Sequence, residues 1–245
     1  MNRRRVLPTA VLLLLAISCH KQAPTPRQVI ILLDVSGSIE PDAQKEAMAG
    51  IQTLAGRLER GDSITLIPIT GDAATESSGK ILRLERPVQR ETFDADLQRF
   101  KADVLESTET INVEQLKHPG SMTDIMGALR VASEEIAMDQ NQHKATVVVL
   151  SDFIEEDGAI NFKTDPRLTS KTNAELLADE WSNNGSIKLQ GVQILLGSIR
   201  SKDLGKLSQS RKEAITEFWK EYCLKIGAHA NFVIDGIGMM QTGLK

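Results

Sequence analysis

The sequence predicts an α/β fold: a doubly wound, mostly parallel sheet with one antiparallel edge strand and helices on both faces. Three observations predict it. Short apolar runs alternate with segments of helical period along most of the chain. The runs at 29–33 and 146–150 contain no charged residue and are rich in Val, Ile and Leu, which suits strands buried on both faces. A third run, 81–84, follows the turn-rich stretch 70–79 and reads as a short antiparallel return at an edge.

The elements follow in order. After the first strand, Ala47, Met48, Ile51, Leu54, Ala55 and Leu58 share one helical face, and Gly61 closes that segment. Residues 64–69 form the next strand and 81–84 the edge. A helix from about 91 to 105 precedes a less regular stretch that runs to Pro119. Residues 123–138 are helical, with Ile125, Leu129, Ala132 and Ile136 aligned. Strand 146–150, a short helix at 174–181, strand 187–196, a helix at 211–226 and a last strand at 231–234 complete the alternation. One domain, 28–238, takes all of these elements, and 239–245 is a tail. Cys223 shares a helix face with Ile215, Phe218, Trp219, Tyr222 and Ile226, so its thiol reads as a small core hydrophobe.

Composition excludes several classes. The chain has 245 residues, 41% apolar, 25% charged and 4% aromatic, with 2 Cys. A chain of this length buries about 70–75% of the surface its unfolded form exposes. A disordered tail, a collagen-like repeat and a disulfide scaffold are excluded. The net charge of −4 argues against nucleic acid as a partner, because phosphate contacts need clustered Lys and Arg.

The first residues stand apart. Arg3, Arg4 and Arg5 precede an apolar run from 6 to 17 that is shorter than the roughly 20 residues a spanning helix needs. This is the form of a secretory signal, covering 1–18. Ala16-Ile17-Ser18-Cys19 resembles the lipobox of bacterial lipoproteins, which implies lipidation at Cys19 and a cell-envelope location, anchored to a membrane and facing the periplasm or the exterior. An ordinary secretory signal is the plainer alternative. Residues 19–27 would then be the lipidated Cys and a tether reaching about 26 Å. Removing 1–18 takes away three arginines and no acid, which moves the net charge from −4 to −7.

Three segments carry the chemistry. The first strand runs into Asp34-Val35-Ser36-Gly37-Ser38, a D-x-S-x-S arrangement. Gly120-Ser121-Met122-Thr123 opens a helix, and Val147-Val148-Val149-Leu150-Ser151-Asp152 ends a strand on a carboxylate. In a doubly wound sheet the strands ending at Asp34 and Asp152 can lie side by side where the connections reverse, and such crevices bind ligands. All the candidate side chains offer oxygen, without Cys or His, so the site is hard and suits Mg²⁺, Mn²⁺ or Ca²⁺ over Zn²⁺.

These segments, and Met122-Thr123-Asp124-Ile125 with Ala128-Leu129, resemble a von Willebrand factor A domain with a metal-ion-dependent adhesion site. The match extends from Gln28 to about Ile237. The resemblance implies an A-type, Rossmann-like fold and one divalent cation held by Asp34, Ser36, Ser38, Thr123 and Asp152. It also implies a protein partner whose acidic residue completes the coordination, with no catalytic step. The residues alone leave open a metal-independent scaffold and a metal-assisted hydrolase. Against the hydrolase, His20, His118, His143 and His229 fall in no metalloprotease or serine-elbow pattern, and Ser77-Ser78-Gly79-Lys80 has no companion motif.

Further expectations concern the neighbours. Ser121 and Asp124 form an S-x-x-D capping box, which places Thr123 in the first helical turn. Glu155, Glu156 and Asp157 read as a solvated acidic loop on the rim, or as a feature selecting partners with basic residues. The Gly- and Met-rich residues 235–245 predict no C-terminal helix able to relay changes at the metal.

Overall fold

The computed structural model describes residues 25–71, 73, 80–86, 93–117, 122–139, 143–184, 187–233 and 238. The signal, Cys19, most of the tether, Ser121, the 77–79 stretch and nearly all of 234–245 therefore lie outside the described residues.

The strands are β1 (Arg27–Asp34), β2 (Ser63–Ile69), β3 (Leu82–Glu85), β4 (Lys144–Ser151), β5 (Gln193–Ser198) and β6 (His229–Val233). They form one sheet in the order β3-β2-β1-β4-β5-β6, parallel throughout except for the antiparallel β2–β3 pair at the edge. The helices are α1 (Pro41–Ala55), α2 (Phe93–Lys117), α3 (Ile125–Met138), α4 (Lys171–Asn184) and α5 (Gln209–Lys225). The predicted fold class is the observed one. No helix among the described residues is long and apolar enough to cross a membrane.

The central strand explains the layering. Along β1, Ile30 and Leu32 face one core, with α3, α4 and α5, while Ile31 and Leu33 face the other, with α1 and α2. Neither face is polar because each is covered, as the uninterrupted apolar run required. From β1 the chain winds outward to β2, and from β4 outward the other way to β5 and β6. Right-handed crossovers travelling in opposite directions put their helices on opposite faces. The winding reverses between β1 and β4, so their carboxyl ends diverge into a crevice.

Local signals set several boundaries. Pro41 sits at the start of α1, where its missing N–H is not needed. The Ser208 hydroxyl caps α5 by accepting from the Arg211 N–H at 3.3 Å. Gly227, at φ +86°, follows the last turn of α5 and turns the chain into β6. Cys223 is completely buried, and burial pushes its thiol up to about 12, in keeping with a core role.

Several boundaries differ from expectation, among them the helix predicted at 174–181, which spans Lys171–Asn184 as α4. The helix at 91–105 continues as α2 to Lys117, so the predicted irregular stretch is helical up to that residue. The strand predicted at 187–196 is β5, shifted to Gln193–Ser198. Ile187 and Leu189 are buried, but Leu189 N–H and Gly191 N–H bond the carbonyls of Ile226 and Gly227, not a sheet neighbour. β6 begins at His229 instead of 231. Finally, α3 begins at Ile125, with Asp124 as its N-cap, which leaves Thr123 before the helix and outside its first turn.

Candidate metal centre

Asp34 ends β1 with no exposed surface. Its Oδ1 accepts the Ser36 N–H at 2.9 Å, the natural bond of an Asx turn, and its Oδ2 accepts the Ser151 hydroxyl at 2.6 Å. The Ser36 and Ser38 hydroxyl oxygens lie 2.9 Å apart, and Ser38 Oγ donates to Asp152 Oδ2 at 3.3 Å. Asp152 Oδ1 accepts the Ile154 N–H at 3.0 Å, and the Ser201 hydroxyl donates to the same carboxylate. The fold therefore brings Asp34, Ser36, Ser38 and Asp152 into one hydrogen-bonded network. The pairing of Leu33 with Leu150 sets the two strand ends at the same level.

Thr123 reaches this crevice through its backbone. Its N–H donates to the Glu156 carbonyl at 2.7 Å, and the Glu156 N–H returns to the Thr123 carbonyl at 2.9 Å. The next N–H, of Asp124, donates to the Thr70 carbonyl at 2.9 Å, just past the end of β2. The Thr123 segment is thus clamped between the loops that follow β2 and β4, the two strands flanking β1.

The electrostatics of the network are set by burial. Asp34 is pushed well above the ordinary carboxylate range, first by loss of solvation and then by the charge of Asp152. Asp152 is raised by burial too, although the Ser201, Ile154 and Ser38 donors oppose the shift. Among the described residues no ion pair reaches either carboxylate. Two buried carboxylates with hydroxyl neighbours and no positive partner are a donor set that fits a hard divalent cation.

The acidic loop is only partly solvated. Glu155 is completely buried, and its carboxylate accepts the Ile125 and Met126 N–H groups at 3.0 and 3.5 Å, at the start of α3. Burial and the charges of Asp124 and Asp157 raise its pKa well above the usual value. Glu156 pairs with Lys163, which also reaches Asp203 at 3.3 Å. Asp157 accepts the Ala159 and Ile160 N–H groups, both at 2.7 Å. Each acid of this loop thus has partners of its own. Asp124, Glu155 and Asp157 bring ligand oxygens within 4.8 Å of one another, a group able to hold a metal ion although none of the three belongs to the predicted set. Two of them already cap α3.

Sequence reasoning missed Ser151 and Ser201 as contributors, and it placed Glu155 on the rim where the structure buries it. Ser151 carried a weak signal, as a hydroxyl ending an apolar strand directly before Asp152. Ser201 carried none, because the loop after β5 is brought to the crevice by long-range contacts, among them an antiparallel bridge between Ile39 and Ser201 and the Ile199 N–H bond to the Ser151 carbonyl.

No family model matches the sequence, and neither does any curated protein. Among solved structures, a von Willebrand factor type A protein from Catenulispora acidiphila is 12% identical, with a TM-score of 0.46 over 89% of this chain and 41% of that one. The pilus adhesin SpaC from Lactobacillus rhamnosus GG in its open conformation is 13% identical, with a TM-score of 0.47 over 88% and 29%. The manganese-loaded TRAP protein of Plasmodium vivax is 13% identical, with a TM-score of 0.36 over 86% and 69%. The chain spans less than half the length of the first two. Its own strand order, edge strand and two-sided helix layers define a doubly wound α/β domain.

Proposed function

We propose that this domain binds a protein partner through a divalent cation, Mg²⁺ or else Mn²⁺ or Ca²⁺, held by Asp34, Ser36, Ser38, Thr123 and Asp152. The observation that carries the proposal is the convergence of two buried carboxylates and two serine hydroxyls where β1 and β4 part. A cation bound there supplies an electrophilic position for an incoming carboxylate. The chain contributes only two formal negative charges among the five ligands, so an acidic side chain of the partner is favoured as the completing group. Repulsion from the nearby acids is lessened, since Glu155 is buried and Glu156 is paired with Lys163. The site grips and performs no chemical step, so the protein is not an enzyme on this reading.

The same proposal places the protein in the bacterial cell envelope, anchored through lipid on Cys19. The motif at 16–19 supports this part. Two experiments test the whole. Calorimetric titration with Mg²⁺ and Mn²⁺ should show binding by the wild type and none by Asp34→Ala; equal binding by both would sink the assigned site. Cell fractionation should move Cys19→Ala out of the membrane fraction, and an unchanged distribution would remove the anchor. The partner is sought by Mg²⁺-dependent capture from envelope extract, with chelator as the control.

A further inference from the structure

We propose that Trp219, in the middle of α5, is a positioning residue of the metal centre. The inference rests on the metal-site reading above and starts from the backbone beside Asp152. Phe153 has φ +63°, and among the described residues no other non-glycine has a positive φ. A residue with a Cβ disfavours this region and stays there only when its surroundings hold it.

The holding groups are specific. The Phe153 N–H donates to Ser151 Oγ at 3.0 Å, and that hydroxyl in turn donates to Asp34 Oδ2 at 2.6 Å. The Phe153 carbonyl accepts the Trp219 Nε1–H at 2.9 Å. The Phe153 ring meets Phe232 of β6 edge-on, with centroids 5.4 Å apart. Trp219 itself cannot swing away. It is completely buried, with Phe162, Phe218 and Tyr222 around its ring at 5.9, 5.3 and 5.8 Å between centroids.

The peptide unit joining Phe153 to Ile154 makes the connection to the metal ligand. Its carbonyl is held by Trp219, and its N–H donates to Asp152 Oδ1 at 3.0 Å. Because the unit is planar, fixing the carbonyl fixes the direction of the N–H. The indole thereby determines where Asp152 Oδ1 is held, which leaves Oδ2 toward Ser38. The same turn aims the following residues, with Glu155 reaching the start of α3 and Glu156 clamping Thr123. Losing the indole N–H frees Phe153 to relax to negative φ and carries the N–H away from Asp152.

The test uses the full chain purified in detergent and calorimetric titration with Mg²⁺ and Mn²⁺. Trp219→Phe keeps an aromatic ring and loses the donor. It should weaken metal binding by about tenfold or more, as loss of outer-shell support does. Phe153→Gly in the same chain should restore affinity to within about twofold of Phe153→Gly alone, since glycine adopts positive φ without support. Wild-type affinity in Trp219→Phe would overturn the proposal. So would a loss that glycine does not rescue, which would make Trp219 a packing residue only. If Trp219→Phe fails to fold, benzothienylalanine, which has the indole's shape but no N–H, replaces Trp219 in a Trp181→Phe background. The same loss of affinity is expected, and unchanged affinity would overturn the proposal. Absence of Mg²⁺ and Mn²⁺ binding by the wild type, and of Ca²⁺ binding in the same titration, overturns the metal-centre reading itself, and this proposal with it.

Discussion

At Glu155 a carboxylate with no exposed surface meets the amino end of α3, where unpaired N–H groups favour negative charge. Burial nevertheless wins, and its native pKa lies well above the ordinary value of about 4.3. A carboxyl of this kind binds its proton more tightly in the folded protein than in the unfolded chain. Its stabilising contribution is fully present below the unfolded pKa and is lost as pH rises through the native one. Asp34 has the same sign for the same first cause. Without metal, the protein should therefore lose stability at these two positions as pH climbs from about 4 toward neutrality. Glu155→Gln should flatten that slope, which thermal unfolding between acid and neutral pH in chelator measures directly. An unchanged slope would show that Glu155 does not carry it.

At the scale of the element, the start of α3 joins stability to the site. Asp124 Oδ1 accepts the Gly127 N–H at 2.6 Å, and its Oδ2 accepts the Ala73 N–H at 3.2 Å. A Cβ on Gly127 would sit 1.9 Å from Asp124 Oδ2, so the cap and a larger residue cannot coexist. Gly127→Ala should cost about 1–2 kcal/mol, the worth of a lost N-cap. In a chain of this size that lowers Tm by roughly 2–8 °C. Because Asp124 follows Thr123, the same variant should also weaken Mg²⁺ binding, and calorimetry separates the two effects.

The elements also show where sequence reasoning reached its limit. Asp124 caps α3 because Thr123 is engaged with Glu156, 33 residues later in the chain, and no local pattern announces that pairing. The reach of α2 to Lys117 was hidden by Ser107, Thr108 and Thr110, which have low helix propensity and blur the apolar spacing. β1 and β4, by contrast, were plain, because strands buried on both faces leave no room for polar residues.

For the whole molecule, the site is a property of the winding. The D-x-S-x-S motif and Asp152 were legible because each ends an apolar strand, and the reversal between β1 and β4 brings them together. The supports from Ser201 and Trp219 were not legible, since each comes from a distant element through a single hydrogen bond. Metal should act on the entire fold. A cation present at about 100 times its Kd adds about 2.7 kcal/mol to a domain that binds it only when folded, or roughly 5–11 °C in Tm. Asp34→Asn should abolish that increment and, by removing a buried carboxylate, raise the Tm measured in chelator. Scanning both proteins with and without Mg²⁺ checks both outcomes; a metal-dependent shift retained in Asp34→Asn would rule out Asp34 as a ligand.

β1 runs from Arg27 at one rim of the sheet to Asp34 at the crevice, a rise of about 23 Å at 3.3 Å per residue. Whatever precedes Arg27 thus joins the domain at the pole opposite the crevice. A surface that held the protein by that end would present the cation outward, toward anything approaching from the far side. The direction of one central strand thus separates chain entry from crevice by the full length of the sheet.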